Sequence, residues 1–310
     1  MRLGVLDVGS NTVHLLVMDA YRGGHPTPAR SRKTVLRLAE HVDESGRLSR
    51  RGADALVQAV AEARRSAREL GCDDLLAFAT SALRDARNGS RVLERVRDDT
   101  GVDLQVLTGP DEARLTFLAV RRWLGWSAGR LVVLDIGGGS LEIASGLDEE
   151  PELAESAPLG AGRLTRERLR GDPPDRAAVA ALRDELDAAL GPVAGRVRAL
   201  GAPDRVAATS KTFRSLARLA GAAPSSAGPR ARRVLTATGL RQVIGFISRI
   251  PAADLAELEG VSPARANQLL AGALVAEATL RALELDLVEI CPWALREGVI
   301  LRRLDWLGSA

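Results

Sequence analysis

Two carboxylates flank a run of three glycines in residues 131–145, which read LVVLDIGGGSLEIAS. Asp135 ends an apolar run, and Glu142 stands in a second run in which apolar and polar residues alternate. Glycines allow a turn whose backbone amides converge on one anion, such as a phosphate oxygen. Carboxylates beside such a turn suit Mg²⁺, which binds carboxylates and phosphate together. The stretch therefore predicts a β-hairpin that binds a phosphate and a cation.

The same pattern occurs at the beginning of the chain. Residues 3–18 read LGVLDVGSNTVHLLVM, and a shift of 128 positions aligns Asp7 with Asp135 and Gly9 with Gly137. A repeated hairpin suggests two similar lobes, each with a phosphate-facing turn toward a shared cleft. Because Asp-x-Gly turns are common, chance similarity of two unrelated hairpins is the alternative.

Two further segments place hydroxyls and a basic residue where a strand meets a helix. They are Thr80-Ser81 followed by Arg84, and Thr209-Ser210 followed by Lys211. Fresh amides and hydroxyls at a helix N-terminus suit an anion, and a nearby cation adds to this. The alternative for each segment is a plain helix cap with a solvated basic residue.

Glu112 lies at the start of a predicted helix over residues 113–124. An acidic residue in a first turn ordinarily complements the helix dipole. In a two-lobed cleft, a carboxylate with no metal to bind could instead accept a proton from an attacking water.

The remaining pattern predicts alternating strands and helices. Further strands are expected over residues 33–40, 75–80, 104–107, 206–210 and 286–290. Helices are expected over residues 49–70, 91–100, 175–190, 237–249, 255–258 and 263–283, with a last helix after residue 292. Residues 221–230, GAAPSSAGPR, are predicted to form a loop.

Composition limits the class of protein. The 310 residues are 46% hydrophobic and 27% charged, which is typical of a globular chain long enough for two domains. A formal net charge of +3 gives no indication of a nucleic-acid partner. Lys33 and Lys211 are the only lysines, and the nucleotide composition of the gene explains the excess of arginine. The alternative is that a lysine kept in such a chain has a function that arginine cannot supply.

Cysteine usage and hydropathy indicate the compartment. Cys72 and Cys291 make neither a metal-ligand spacing nor a disulfide framework, so we expect a reduced, cytoplasmic setting. A signal peptide contains an uninterrupted apolar region, whereas Asp7 interrupts the first apolar run of this chain, so we expect no signal peptide. No run of eighteen apolar residues occurs, so we expect no membrane span.

Five segments in this order resemble the exopolyphosphatase and guanosine pentaphosphate phosphohydrolase (Ppx/GppA) family: LDVGSNTVHLLV, ATSALRDARN, LTGPDEARLTFLAV, LDIGGGSLEI and WALREGVIL. The resemblance covers the whole chain. It implies an α/β fold of two ribonuclease-H-like domains around a central cleft, as in the actin-like and sugar-kinase superfamily. The implied domains are residues 1–122, joined by the C-terminal helix 295–307, and residues 123–294.

The resemblance also implies an activity and its residues. The activity is hydrolysis of the terminal phosphate of inorganic polyphosphate with Mg²⁺ or Mn²⁺. Glu112 matches the base that activates water, and Arg84 matches an arginine that contacts phosphate. Asp135 and Glu142 match the metal-binding acids, with Asp7 as a further candidate. The candidate phosphate-binding residues are Ser10, Asn11, Gly137, Gly138, Gly139, Ser140, Ser210 and Lys211.

Several expectations about substrate and assembly follow from the same resemblance. Larger members continue into an additional helical domain, and the printed chain ends at residue 310, so we expect short polyphosphate chains as substrate. We expect a homodimer, and we expect no binding to nucleic acid or to a membrane. The alternatives are a guanosine pentaphosphate 5′-phosphohydrolase, a non-catalytic polyphosphate or nucleotide sensor and, less favoured, a kinase.

Overall fold

The computed structural model describes residues 1–21, 23–43 and 45–307, and by their contacts these residues form two compact units. Unit 1 comprises Met1–Leu115 and the residues from Leu295 onward, and unit 2 comprises Thr116–Ala294. The sequence predicts a boundary after residue 122, whereas the contacts place it after Leu115. Both positions fall in one helix, Gly109–Leu124, which carries the chain from unit 1 into unit 2.

Unit 1 contains a five-stranded mixed sheet. Its strands are β1 (Arg2–Val8), β2 (Thr12–Asp19), β3 (Thr27–Val35), β4 (Asp74–Ala79) and β5 (Gln105–Val106), in the spatial order β3-β2-β1-β4-β5. β1 pairs antiparallel with β2 and parallel with β4, so the carboxyl ends of β1 and β4 lie at one edge. The helices are α1 (Arg50–Glu69), α2 (Ser81–Arg84), α3 (Gly89–Thr100), the beginning of α4 (Gly109–Leu124) and α11 (Leu295–Trp306).

Alternation along the strands of this sheet produces two apolar layers, because successive side chains point to opposite faces. On one face, Leu6 belongs to a buried cluster with Leu56 of α1. On the other face, Leu3 belongs to a cluster with Ile300 of α11. The helix predicted over residues 49–70 is confirmed, and its first turn is capped by Ser49, whose Oγ accepts from the Gly52 amide at 3.2 Å.

Unit 2 contains a six-stranded sheet. Its strands are β6 (Leu131–Ile136), β7 (Leu141–Gly146), β8 (Leu153–Ala157), β9 (Arg205–Ala208), β10 (Val234–Thr236) and β11 (Leu287–Ile290), in the spatial order β10-β11-β9-β6-β7-β8. β6 pairs antiparallel with β7 and parallel with β9, which repeats the arrangement of β1, β2 and β4. The helices are α5 (Ala161–Arg168), α6 (Arg176–Ala199), α7 (Ser210–Leu219), α8 (Ala237–Ile247), α9 (Ala252–Ala256) and α10 (Leu269–Ala282).

The strand predicted over residues 33–40 is wrong in its second half. β3 ends at Val35, and Leu38–His41 form a short 3₁₀ helix. The chain leaves the sheet because the Asn11 carbonyl accepts from the Leu36 and Arg37 amides, at 3.0 and 2.9 Å. Arg37 also adopts a left-handed conformation with φ 49°, which ends the extended run.

Three other predictions need correction. The helix predicted over residues 263–283 is a 3₁₀ helix, Pro263–Gln268, followed by α10. The helix predicted over residues 175–190 continues to Ala199 through Pro192, because Val193 and Val197 extend its buried apolar stripe. The strands β8 and β10 are short edge strands that the apolar pattern does not predict.

Two expectations concern the membrane and the cysteines. None of the helices in the described ranges is both long and apolar enough to cross a bilayer. Cys72 is half-buried and Cys291 is buried, and both are free thiols.

Candidate active site

The two hairpins predicted from the repeat have the same turn geometry. Asp7 lies opposite His14 in the β1–β2 pair, and Asp135 lies opposite Glu142 in the β6–β7 pair. The Gly9 amide donates to the Thr12 carbonyl at 3.0 Å, and the Gly137 amide donates to the Ser140 carbonyl at 2.9 Å. All four pairs obey the shift of 128 positions, so the repeat is structural as well as sequential.

The glycine turn of unit 2 leaves a set of backbone amides free. The Gly137 carbonyl accepts from the Ala161 amide at 3.0 Å, and the Gly138 carbonyl accepts from the Arg163 amide at 2.9 Å. Arg163 Nε also donates to the Gly139 carbonyl at 3.0 Å. The amides of residues 138–140 donate to no acceptor within the described residues. Convergent free amides of this kind bind an anion.

Gly160 brings the start of α5 against this turn. A Cβ at Gly160 would lie 2.2 Å from the Gly139 carbonyl carbon and 2.3 Å from the Ser140 amide nitrogen. No other residue fits at this distance. The Gly-x-Gly of residues 160–162 is a weak motif by itself, but here it allows the start of α5 to pack directly against the backbone of the glycine turn.

The two carboxylates of unit 2 each accept a hydrogen bond from a hydroxyl. Thr209 Oγ1 donates to Asp135 Oδ2, and Ser156 Oγ donates to Glu142 Oε1 at 2.8 Å. Glu142 is 5% exposed and Thr209 is fully buried. A hydroxyl carries no charge, so these two bonds orient the carboxylates without neutralising them.

Asp135 and Glu142 fit a Mg²⁺ or Mn²⁺ ion that also binds phosphate. Mg²⁺ commonly takes one or two carboxylates and completes its coordination with water and substrate phosphates. The residues described here contain no group of three or more His, Cys, Asp or Glu side chains arranged to hold a metal. Asp135 and Glu142 are thus two carboxylate donors, and water and phosphate oxygens would complete the coordination of an ion held there.

The predicted base and the predicted phosphate-contacting arginine meet in unit 1. Arg84 Nη1 donates to Glu112 Oε1 and, at 3.2 Å, to the Leu107 carbonyl. Arg84 Nε donates to Asp85 Oδ1 at 3.2 Å. Glu112 is only 7% exposed, so its carboxylate is held in a buried pair with the Arg84 guanidinium. Burial opposes the charge of Arg84, but Glu112 and Asp85 outweigh it and raise the pKa of the guanidinium above its ordinary value.

The turn of the first hairpin is also held through its carbonyls. The Ser10 carbonyl accepts from the Ala39 amide at 3.2 Å, beside the contacts already described for the Asn11 carbonyl. The Ser10 and Ser81 hydroxyls lie 3.0 Å apart and are buried. The structure thus places Ser10 and Asn11 beside Ser81, at the carboxyl ends of β1 and β4.

Asp7 has different neighbours from Asp135. Arg296 Nη1 lies 3.8 Å from Asp7 Oδ2 and contacts His14 Nδ1. His14 Nε2 lies 2.7 Å from Ser31 Oγ. Asp7 therefore stands beside an imidazole and a cation, and this composition is less suited to a metal ion than the pair in unit 2.

Ser210 and Lys211 begin α7 beside Thr209. Ser210 has φ 70°, and its Oγ accepts from the Phe213 amide at 3.4 Å. Lys211 Nζ donates to the Gly260 carbonyl at 3.1 Å. The hydroxyl that contacts Asp135, the predicted metal-binding aspartate, belongs to Thr209 and not to Ser210.

Four residues of these clusters carried no assigned function in the sequence: Thr209, Ser156, Arg163 and Arg296. Thr209 and Arg296 lie inside motifs that the sequence singles out, so their segments were flagged although their partners were not. Ser156 lies on β8, which the pattern does not predict, and Arg163 follows a weak glycine motif. No local signal identifies their contacts.

The chain is similar to known proteins in sequence and in structure. Residues 17–307 match the Ppx/GppA phosphatase family. Exopolyphosphatase 1 of Mycobacterium tuberculosis is 67% identical over 305 residues, which cover 98% of this chain and 89% of that protein.

Two solved structures extend the comparison. A Ppx/GppA family member of Aquifex aeolicus matches with a TM-score of 0.82 at 26% identity, over 100% of this chain and 99% of that one. An exopolyphosphatase of Cytophaga hutchinsonii matches with a TM-score of 0.89 at 22% identity, over 99% and 98%, and bears on the fold alone. The fold is the actin-like, ribonuclease-H-like two-domain α/β fold that the resemblance implies.

Proposed function

Because this chain belongs to the Ppx/GppA phosphatase family, we propose that it is an exopolyphosphatase that removes the terminal phosphate of inorganic polyphosphate. The observation that carries this proposal is the turn of residues 138–140, whose free amides stand beside the carboxylates of Asp135 and Glu142. Amides bind phosphate oxygens, and the carboxylates supply a cation site at the same place. Phosphoryl transfer depends mainly on such positioning and charge neutralisation.

Glu112 is the residue that we assign as general base. Its carboxylate accepts a proton from the attacking water while the water oxygen bonds to the terminal phosphorus. The bond from that phosphorus to the bridging oxygen breaks, and the shortened chain leaves with the bridging oxygen. A positioned base contributes about 10²–10⁴-fold to such a rate.

Arg84 serves this reaction in two ways. Its guanidinium holds the Glu112 carboxylate, which orients the base. The Nη2 group of the same guanidinium, which the bonds described above do not use, binds phosphate oxygens and balances charge on the terminal phosphate.

A Mg²⁺ or Mn²⁺ ion held by Asp135 and Glu142 would neutralise phosphate charge when bound. The amides of residues 138–140 then orient the phosphate, and Thr209 and Ser156 keep the two carboxylates in place. We assign Ser10 and Asn11 to phosphate binding in unit 1, and Ser210 and Lys211 to phosphate binding in unit 2. Asp7 stays a further candidate for the cation on the resemblance alone, because Arg296 and His14 beside it suit a metal ion less well than the pair in unit 2 does.

Short polyphosphate is the substrate that we favour. The phosphate-facing groups assigned above are few and are sufficient for a small number of phosphates. Faster turnover of long chains than of short ones would contradict this preference. Competition between polyphosphate and guanosine pentaphosphate would separate the two hydrolase functions. A homodimer is the assembly we propose on the resemblance alone, and light scattering would measure it.

The decisive experiment compares the native protein with Glu112→Gln. We expect Mg²⁺-dependent phosphate release from short polyphosphate to fall by about two orders of magnitude, while polyphosphate binding persists. Asp111→Asn is the matched control, because Asp111 lies on the same turn of α4 but contacts only Thr108 and Arg114 in the described hydrogen-bond network. Binding without release by the native protein would favour the sensor instead.

A further inference from the structure

The two ends of α1 carry arginines with opposite electrostatic consequences. Arg50 and Arg51 are the first two residues of the helix, whose first turn contains no acidic residue. Arg65 and Arg68 lie near its C-terminus. Cations stabilise the C-terminus of a helix and destabilise its N-terminus. Arg50 and Arg51 therefore stand where the helix itself disfavours them.

A neighbouring helix repeats this unfavourable placement. Arg91 lies in the first turn of α3, which also has no acidic residue. Arg95 of α3 pairs with Asp54 of α1 at 2.6 Å. Arg64, near the C-terminus of α1, donates to the carbonyl of Thr100, the last residue of α3, so the two helices run in the same direction. Arg50 and Arg91 each lie one turn before the Asp54–Arg95 pair and therefore stand at the same end of the two helices.

A loop adds two more arginines at this end. The Gly46 carbonyl accepts from the Arg87 amide at 2.9 Å. The Leu48 amide donates to Asn88 Oδ1 at 2.8 Å, and Asn88 Nδ2 donates back to the Leu48 carbonyl at 2.9 Å. These bonds bring Arg47 next to Arg87. We call the five exposed side chains the arginine cluster: Arg47, Arg50, Arg51, Arg87 and Arg91.

Nearby carboxylates are engaged by other groups. Asp54 pairs with Arg95, and Asp85 pairs with Arg84 at 3.2 Å. Asp43 accepts from the Ser45 hydroxyl and from the Arg47 amide. Within the described ranges, no carboxylate pairs with a guanidinium of the arginine cluster. The cluster is thus a predominantly positive surface, in which the charge of Arg47 is partly offset by the nearby Asp43 carboxylate.

Backbone hydrogen bonds link the segments that carry the cluster to the residues assigned above to phosphate in unit 1. The Ser10 carbonyl accepts from the Ala39 amide, and two residues later the His41 carbonyl accepts from the amide of Ser49, the cap of α1. On the other side, Arg87 follows Arg84 by three residues. The backbone thus connects the turn of Ser10 and the Arg84–Glu112 pair directly to the cluster.

We propose that the arginine cluster binds the phosphates that follow the terminal one in a polyphosphate chain. This inference rests on the proposed function and extends it to a second part of the substrate. A linear polyanion offsets both the guanidinium charges and the two helix N-termini, which explains why cations are kept at positions that weaken α1 and α3. Affinity therefore increases with chain length only up to the short chain that spans the cluster, and longer chains gain nothing more, which agrees with the preference for short polyphosphate proposed above.

The test compares a cluster variant with a charge-matched control. The cluster variant is Arg50→Ser, Arg51→Ser and Arg91→Ser, and the control is Arg30→Ser, Arg65→Ser and Arg68→Ser, at exposed positions elsewhere in unit 1. Binding of tripolyphosphate and of long-chain polyphosphate is measured in the Glu112→Gln background, which prevents turnover. We expect the cluster variant to bind long chains about tenfold more weakly, with tripolyphosphate and the control unchanged.

Thermal unfolding separates binding from a structural role. Removing cations from helix N-termini relieves an unfavourable interaction, so we expect the Tm of the cluster variant to be equal to or above that of the native protein. In the control, the loss of Arg65 and Arg68 from the C-terminal part of α1 lowers Tm. A lower Tm for the cluster variant together with equal losses for short and long chains would overturn the proposal.

Two further outcomes are informative. If single-stranded DNA loses affinity for the cluster variant as much as long polyphosphate does, the surface is a general polyanion surface and the proposal is wrong. If the native protein binds long polyphosphate through the cluster but releases no phosphate from any chain, the cluster is supported and the hydrolase function is contradicted.

Discussion

The two hairpins have the same backbone and different chemistry. In each, an aspartate at the end of the first strand faces a polar residue on the second, but that residue is His14 in unit 1 and Glu142 in unit 2. Asp7 is accompanied by Arg296, whereas Asp135 is accompanied by the Thr209 hydroxyl. The first repeat therefore combines its aspartate with an imidazole and a guanidinium, whereas the second combines two carboxylates with hydroxyl donors.

The register of the neighbouring parallel strand accounts for part of this difference. Val8 pairs with Ala79 in unit 1, whereas Leu134, which corresponds to Leu6, pairs with Ala208 in unit 2. The end of β9 is therefore displaced by two residues toward the beginning of β6, compared with the position of β4 beside β1. As a result Thr209 stands beside Asp135, whereas Thr80 stands beyond Asp7 and its hydroxyl donates to the Val8 carbonyl at 3.5 Å. A shift of two residues preserves the faces of a strand and changes which side chains meet.

The largest expected effect comes from giving the second hairpin the composition of the first. Glu142→His removes one of the two charges that hold the cation, so we expect Mg²⁺-dependent phosphate release to fall by more than about 100-fold. Mn²⁺ binding, followed by electron paramagnetic resonance, should be lost as well. His14→Gln is the control, and it should leave Mn²⁺ binding intact. Unchanged Mn²⁺ binding by Glu142→His would mean that the cation sits elsewhere.

Removing the hydroxyls of unit 2 should weaken metal binding without removing a ligand. For Thr209→Val and Ser156→Ala we expect the half-saturating Mg²⁺ concentration to rise by about 10–100-fold. The rate at saturating Mg²⁺ should change much less. Thr209→Ser keeps the donor and should restore the native Mg²⁺ requirement. A loss of rate that added Mg²⁺ does not restore would assign the hydroxyls another function.

The support behind the glycine turn can be tested at Gly160. Gly160→Ala places a Cβ against the backbone of Gly139 and Ser140, so the turn must shift. We expect destabilisation by about 1–3 kcal/mol in chemical denaturation and a higher KM for polyphosphate. Gly191→Ala is the control, because nothing lies within 4 Å of its added Cβ. An unchanged KM for Gly160→Ala would contradict a binding role of this turn.

The smallest effect concerns the cation of the first hairpin. Arg296→Gln keeps much of the side-chain length but leaves Asp7 and His14 without the guanidinium, and we expect a loss of about 1–2 kcal/mol in the free energy of unfolding. Arg303→Gln, on the same helix, breaks the half-exposed pair with Asp74 and should cost about 0–1 kcal/mol. Equal losses would indicate that the Asp7 cluster has no special importance for the fold.

Much of the fold follows from local pattern. The glycine-interrupted apolar runs predict both hairpins because alternation and turn residues act over a few positions. The helix of residues 49–70 follows in the same way from its serine cap and apolar spacing. Where a local pattern competes with a tertiary bond the prediction is wrong, as at residues 36 and 37, whose amides turn away from the sheet to the Asn11 carbonyl.

In the candidate site too, local sequence pattern and tertiary contacts determine different features. The sequence alone determined the residue types that do the chemistry, namely the repeated aspartates, the glycine turn and Glu112, because these lie in contiguous motifs. Only the tertiary structure decided their partners. Thr209 reaches Asp135 across 74 positions through strand register, and Arg296 reaches His14 across 282 positions through the return of the last helix. Such contacts depend on how distant elements pack, and no local spacing encodes that packing.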